Sequence, residues 1–197
     1  ILHYCNTLPD KIDVTFKAVV DKTQRIRASS NHTATHLLHQ ALREILGNHV
    51  EQKGSMVNPR ALRFDFSHFS KISKGQISQI EEFVNSRIKE NLLFEENRNT
   101  LMEKALGEGA IALFGEKYGD TVRTVRFGKS IELCGGTHVK STSKIWHFKI
   151  TSESAIASGI RRLEAITGDS CKIFFEEQSN DLEKIKQLIK SSQNIVV

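Results

Sequence analysis

His32 and His36 stand four residues apart in the run 31–40, N-H-T-A-T-H-L-L-H-Q, and the Thr, Ala and Leu residues around them suit a helix. On a helix, residues i and i+4 share a face, so both imidazoles can point at one object. Far along the chain comes Cys134-Gly135-Gly136-Thr137-His138, a thiol and an imidazole on a glycine turn. Gly135 and Gly136 are poor residues for a helix interior and let the backbone fold so that Cys134 and His138 face one way. Three imidazoles and one thiolate form the nitrogen and sulfur set that suits Zn2+ better than Mg2+ or Ca2+. Either pair alone is commonly a packed or solvated pair of side chains. Together in one chain, with no competing Cys/His cluster, they point to one shared metal.

A metalloprotease is excluded at this spot, because H-E-x-x-H needs a glutamate where Thr33 stands. His39, one helical turn beyond His36, is open to three readings: ligand, group behind the ligands, or structural histidine, the last being the simplest. His3, His49, His68 and His147 have no motif around them. Four protein ligands fill a tetrahedral shell, the pattern of structural zinc; a catalytic role needs a weakly held ligand, five-coordination, or a metal that only positions substrate.

The frame for these residues follows from periodicity. Residues 12–20 (I-D-V-T-F-K-A-V-V) alternate and are β-branched, which predicts a strand, with 21–27 as a polar, basic connection. Ser29, Ser30 or Asn31 can cap the next helix, which should end near Gly47. Residues 51–57 and 61–68 read as strands joined at Asn58-Pro59-Arg60, and the second alternates with Leu62, Phe64 and Phe66 on one side. The run 75–92 carries Ile77, Ile80, Phe83, Val84 and Ile88 at helical spacing. Strands are expected at 91–98, 122–127, 131–133, 146–152 and 160–167, a short helix at 100–106, and a helix from Asp169 onward. The segment 109–120 is punctuated by glycine and fits no single element. The sum is an α+β fold: a curved, mostly antiparallel sheet packed on one or two long helices, with a C-terminal helix. That helix finds few partners within the chain and reads as the start of an element that continues in a longer protein, as the abrupt opening at Ile1 also suggests.

With 197 residues, 39% hydrophobic and 26% charged, the composition is that of an ordinary globular protein, and no apolar run is long enough to span a bilayer. Cys5, Cys134 and Cys171 are too few and too irregular for a disulfide framework, which favours a reducing, cytoplasmic setting. A net charge of +5 is compatible with a polyanionic partner without identifying one.

Beyond these readings, the run H-T-A-T-H-L-L-H-Q-A-L, Q-K-G-S at 52–55, L-R-F-D-F-S-H at 62–68, A-L-F-G-E-K-Y-G-D at 112–120, E-L-C-G-G-T-H at 132–138 and S-G-I-R-R-L-E-A-I-T-G at 158–168 closely resemble the editing domain of alanyl-tRNA synthetases. The blocks fall in order over nearly the whole chain. Threonyl-tRNA synthetase editing domains and free-standing alanyl-tRNA editing proteins share the metal pairs but look less like the intervening blocks. The resemblance implies a hydrolase that cleaves the ester of tRNA(Ala) mischarged with serine or glycine, with Zn2+ held at His32, His36, Cys134 and His138. It implies a pocket role for Gln52, and for Thr33 a hydroxyl that senses the serine side chain. It places an editing domain over 1–168 and the beginning of a connector over 169–197, with no aminoacylation core in this chain and the other synthetase domains as partners. Arg25, Arg27, Lys53, Arg60, Arg161 and Arg162 are candidates for tRNA phosphates, with ion pairs to Asp65, Glu116 and Glu164 as the plainer alternative. Phe64, Phe66 and Phe69 read as core. A zinc-stabilised RNA-binding module without chemistry, and a free-standing trans-editing protein, are the competing readings.

Overall fold

The computed structural model describes Tyr4 and residues 6–113 and 117–189. His3, Cys5, Glu116, the middle of the A-L-F-G-E-K-Y-G-D block and residues 190–197 lie outside them. In chain order the elements are α1 (Lys22–Leu46), β1 (Gln52–Val57), β2 (Leu62–Ser67), α2 (Lys74–Lys89), β3 (Glu95–Leu101) and α3 (Met102–Gly107). There follow β4 (Thr121–Phe127), β5 (Ser130–Leu133), a 3-10 turn (Thr142–Ile145), β6 (Phe148–Ala157), β7 (Ile160–Thr167) and α4 (Gly168–Leu188). The fold is α+β, but the strands divide into two antiparallel sheets rather than one: β1-β2-β7-β6 and β3-β4-β5.

α1 starts well before its expected cap. The Asp21 carboxylate accepts the Gln24 N–H at 2.9 Å, and no Gly or Pro interrupts the chain until Gly47, where φ of 116° ends the helix. Residues 21–27 are therefore helical apart from the cap, not a connection. Ser29, Ser30 and Asn31 lie buried inside the helix instead of capping it. Asn31 donates to the Asn58 carbonyl at 2.7 Å and accepts from the Thr167 hydroxyl at 2.7 Å, tying α1 to the four-stranded sheet. The strand expected at 12–20 is absent: those residues are exposed and form no regular element. Alternation supplies the side-chain pattern of a strand, but the backbone groups also need a neighbouring strand, and none of the described residues pairs there.

α2 opens with a reciprocal capping box between Ser73 and Gln76 and buries Ile80, Val84 and Ile88. The main core lies between α1, α2 and the four-stranded sheet, where Leu37, Leu38 and Leu42 meet Phe64, Phe66, Phe148 and Leu163. A smaller cluster of Ala105, Ala110, Val122, Ile131 and Leu133 sits on the three-stranded sheet. Phe69 departs from the expected core role: it is 89% exposed, on the turn after β2. Two strands begin later than expected because a left-handed residue precedes each. Asn91 (φ 55°) closes α2 before β3, and Trp146 (φ 69°) closes the 3-10 turn before β6.

Candidate metal centre

His32 and His36 project from α1 toward the loop that leaves β5, and Cys134 and His138 come from that loop. One ligand atom from each of the four lies within 4.8 Å of all the others. Cys134 Sγ is 3.5 Å from His32 Nε2 and 3.4 Å from His138 Nε2. The three imidazole centroids are 4.3–5.3 Å apart. The two pairs separated in sequence thus meet, and the group could hold one metal ion. Of the four, His138 also lines an open cleft of about 490 Å3, with Phe94, Arg123, Gly136 and Thr137.

Arg123 on β4 sets the loop in place. Its guanidinium donates to the Cys134 carbonyl at 2.6 Å and the Gly136 carbonyl at 2.9 Å, and Glu96 holds it at 2.7 Å. Gly136 is required for a different reason from the turn expected in the sequence. Neither Gly135 nor Gly136 has a left-handed φ, and a Cβ at Gly135 would meet open space. A Cβ at Gly136 would run into the His32 ring. The glycine is there for close approach.

The ring nitrogens are individually arranged. Val139 N–H donates to the Thr33 hydroxyl at 3.2 Å, and the same hydroxyl meets His138 Nδ1 at 3.1 Å, leaving His138 Nε2 on the Cys134 side. Glu132 lies behind His36, with one oxygen 3.7 Å from His36 Nε2 and the other 3.1 Å from His39 Nδ1. His36 Nδ1 is buried and finds no hydrogen-bond partner among the described residues. A carboxylate behind one ring nitrogen and an orphaned lone pair at the other is the arrangement expected of a metal-ligating imidazole. Burial, assisted by the neighbouring His36, pushes His32 down to about 4 and His138 to about 2. Burial also lowers His36. All three are therefore neutral near pH 7, the form that ligates. Burial alone would raise Glu132, but its contacts with His36 and His39 outweigh it and lower it.

Gln52, at the start of β1, stands at a separate cavity of about 380 Å3 together with His39, Arg43 and residues 109–113. Of the phosphate candidates, Arg162 makes two bonds to Asp65 at 2.7 and 2.8 Å, Arg161 is paired with Glu153, Arg27 with Asp169 and Lys53 with Glu51. Arg25 and Arg60 are exposed. Cys171 is buried, its thiol donating to the Ile166 carbonyl at 3.2 Å and pushed up to about 12 by desolvation, so it is chemically quiet. Glu132 and Arg123 were missed in the sequence. Glu132 had a signal, since residues two apart on a strand share a face and Glu132 is two before Cys134. Arg123 had none, because its bonds depend on how β4 and β5 pair. No helix among the described residues is long and apolar enough to cross a membrane.

A family profile described as "Threonyl and Alanyl tRNA synthetase second additional domain" matches residues 122–164. Alanine–tRNA ligase from Christiangramia forsetii is 61% identical over 196 residues, that from Flavobacterium psychrophilum 57% over 196, and that from Porphyromonas gingivalis 49% over 195. These matches cover 100%, 100% and 99% of this chain, which spans 22% of the length of each relative. Identity is thus sustained at that level from end to end against one segment of alanine–tRNA ligases, and the profile falls on the strands that flank the Cys134 loop.

Proposed function

We propose that this chain is an aminoacyl-tRNA deacylase, cleaving the ester of tRNA(Ala) mischarged with serine or glycine, with Zn2+ held by His32, His36, Cys134 and His138. The observation that carries this reading is the convergence of the four ligand atoms beside an open cleft, in a chain 61% identical to a segment of an alanine–tRNA ligase. The spacing suits zinc. Bonds of ~2.3 Å to sulfur and ~2.0–2.1 Å to nitrogen at a tetrahedral angle put sulfur and nitrogen about 3.6 Å apart. The two sulfur–nitrogen separations here are 3.4 and 3.5 Å. Bound there, Zn2+ would supply a fixed positive charge that positions the substrate's amine or hydroxyl or polarises its ester carbonyl, and positioning is favoured because four protein ligands already fill the shell.

The chain's own residues do the rest. Thr33 fixes the His138 ring; with its hydroxyl committed to His138 and Val139, it contributes as a positioning residue. Glu132 fixes His36. Gln52 offers its amide to the serine hydroxyl. A synthetic pocket sized for alanine rejects an added hydroxyl, or the smaller glycine, by only about a hundredfold. A second site that hydrogen-bonds the hydroxyl reverses the preference, because alanine would leave a buried amide unpaired at a cost of ~1–3 kcal/mol. In this reading residues 1–168 are the deacylase and 169–197 begin a connector to other synthetase domains. The setting is cytoplasmic, and the exposed Arg25 and Arg60 are the phosphate contacts to try first.

The filled shell also favours a second reading, a zinc-stabilised RNA-binding module without chemistry. One experiment separates the two: incubate the chain and its Cys134→Ala variant with Ser-tRNA(Ala) and Gly-tRNA(Ala), with zinc and with chelator, and record far-UV circular dichroism melts of the same samples. The deacylase reading expects hydrolysis that chelation and the variant abolish while the fold persists. Ester decay at the buffer rate in every tube, or unfolding on chelation alone, overturns it in favour of the second.

A further inference from the structure

The open cleft at His138 carries more positive charge than its own structure uses. Arg98 and Arg123 both line it, against one carboxylate, Glu96, among the described residues of its walls. Arg123 is committed to the loop: it holds the Cys134 and Gly136 carbonyls and meets Glu96 Oε2 at 2.7 Å. Arg98 has only the other oxygen, with Nε and Nη2 at 3.3 and 3.1 Å from Glu96 Oε1, and its side chain is 75% exposed. So exposed a pair is weak, and the guanidinium can turn to a better acceptor. The backbone aims it there. From Asn97, paired with Thr124, to Thr100, paired with Val122, β3 advances three residues while β4 advances two. The extra residue makes a bulge around Arg98, braced by the Asn99 N–H on Asn97 Oδ1 at 3.1 Å, and bulges re-aim side chains beside sites. Phe94, stacked on His138 with centroids 5.9 Å apart, gives the same cleft an apolar wall.

We propose that Arg98 is a substrate-binding residue, whose guanidinium holds the 5′-phosphate of the 3′-terminal nucleotide while the aminoacyl ester of that nucleotide lies toward His138. The assignment rests on the deacylase reading and deepens it. Serine or glycine joined as an ester has lost its carboxylate, so this phosphate is the anion nearest the reacting bond. Ester and phosphate hang from one ribose, and a group that fixes the second also fixes how far the first reaches. A phosphodiester presents two oxygens to the guanidinium fork, a stronger match than the single Glu96 oxygen that Arg98 now holds. Glu96 keeps its pair with Arg123, so the loop clamp is undisturbed by the exchange. Residue order gives no sign of Arg98, because the bulge exists only through the pairing of β3 with β4.

Two probes test it: adenosine carrying serine through a non-hydrolysable 3′-amide, and the same compound with a 5′-phosphate capped as its methyl ester, which leaves the single charge of a phosphodiester. Both are titrated calorimetrically into the zinc-loaded chain and its Arg98→Gln variant, and the same samples are assayed on Ser-tRNA(Ala). The phosphate is expected to tighten binding to the wild-type chain about tenfold, and less than twofold in the variant. The uncapped probe should bind both proteins alike, with zinc affinity and melting temperature unchanged. A phosphate gain of equal size in the two proteins overturns the proposal, as does a variant that weakens both probes equally, the mark of a structural role. A wild-type chain that hydrolyses Ser-tRNA(Ala) yet gains nothing from the phosphate overturns it too and leaves the deacylase reading standing. One that binds neither probe and hydrolyses nothing brings down both. Should Arg98→Gln fail to fold, 15N NMR of the unmodified chain decides: the Arg98 Nε–H resonance moves with the phosphorylated probe alone, and a resonance that stays put sinks the assignment.

Discussion

The β1-β2-β7-β6 sheet lies beneath α1 and α2 and buries whole aromatic rings at Phe64, Phe66 and Phe148. The β3-β4-β5 sheet lends Val125 and Phe127 of β4 to that same core and otherwise covers a smaller cluster of small and aliphatic residues around Ala105, Val122 and Ile131. Fully burying a large apolar side chain contributes about 1.5–3 kcal/mol, so most of the stability belongs to the first region. The candidate metal centre straddles the two. His32 and His36 ride on the helix that forms the main core, while Cys134 and His138 hang from a loop on the lesser sheet, fastened through Arg123. One half of the site is anchored by the packing of α1, and the other by the Arg123 hydrogen bonds together with the packing of His138 against Phe94 and Phe127. A shared metal would couple them without being needed for either to fold.

Substitutions can break that division. Phe64→Ala empties the middle of the main core and should cost about 3–5 kcal/mol in denaturant unfolding, with zinc affinity of the folded fraction unchanged. Cys134→Ala should do the reverse. One ligand's share of the ~10–16 kcal/mol seen for structural zinc is about 2.5–4 kcal/mol, a hundred- to thousandfold in affinity by chelator competition, with the metal-free melting temperature within a few degrees of wild type. If Cys134→Ala unfolds the chain, the two halves are not independent.

Acid separates the regions more gently. Unfolded imidazoles titrate near 6.5, whereas folded His32 resists protonation down to about 4 because it is buried. Between those values the unfolded chain binds more protons. Metal-free stability is therefore complete above pH 6.5 and declines as pH falls toward 4, by about 2–3 kcal/mol from His32. Thermal melts in chelator should show a shallower decline for His32→Asn, and parallel slopes would count against this origin. Glu132→Gln keeps the shape but removes the charge behind His36 and His39, and should weaken zinc binding about ten- to a hundredfold. Smallest of all, Ile131→Val in the lesser cluster should cost about 0.5–1.5 kcal/mol in melts and leave zinc affinity alone.

Much of this was readable from residue order. The i, i+4 histidines, the glycine-hinged Cys134 and His138, the alternation through Leu62, Phe64 and Phe66 and the helical spacing of Ile80, Val84 and Ile88 are local patterns, because a helix or strand maps sequence spacing directly onto faces. Residues 12–20 show the boundary of that logic. Their alternation is as regular as that of β2, but a strand exists only where another strand accepts its hydrogen bonds. The same holds at Phe69, which continues an apolar pattern past the end of β2 and emerges on an exposed turn. Asp21 begins α1 while Ser29, Ser30 and Asn31 sit inside it, since their polar groups found tertiary partners such as Asn58, Thr137 and Thr167.

The candidate ligands His32, His36, Cys134 and His138, then, were legible in their spacing. The pairing of β4 with β5 supplied the Arg123 clamp, while the closure of the four into one site, the need for Gly136 beside the His32 ring, and the Glu132 bridge to His39 came from the packing of α1 against β5 and the loop after it. Those contacts join residues about a hundred positions apart. No local rule spans that separation; only the folded core brings such groups within hydrogen-bonding range.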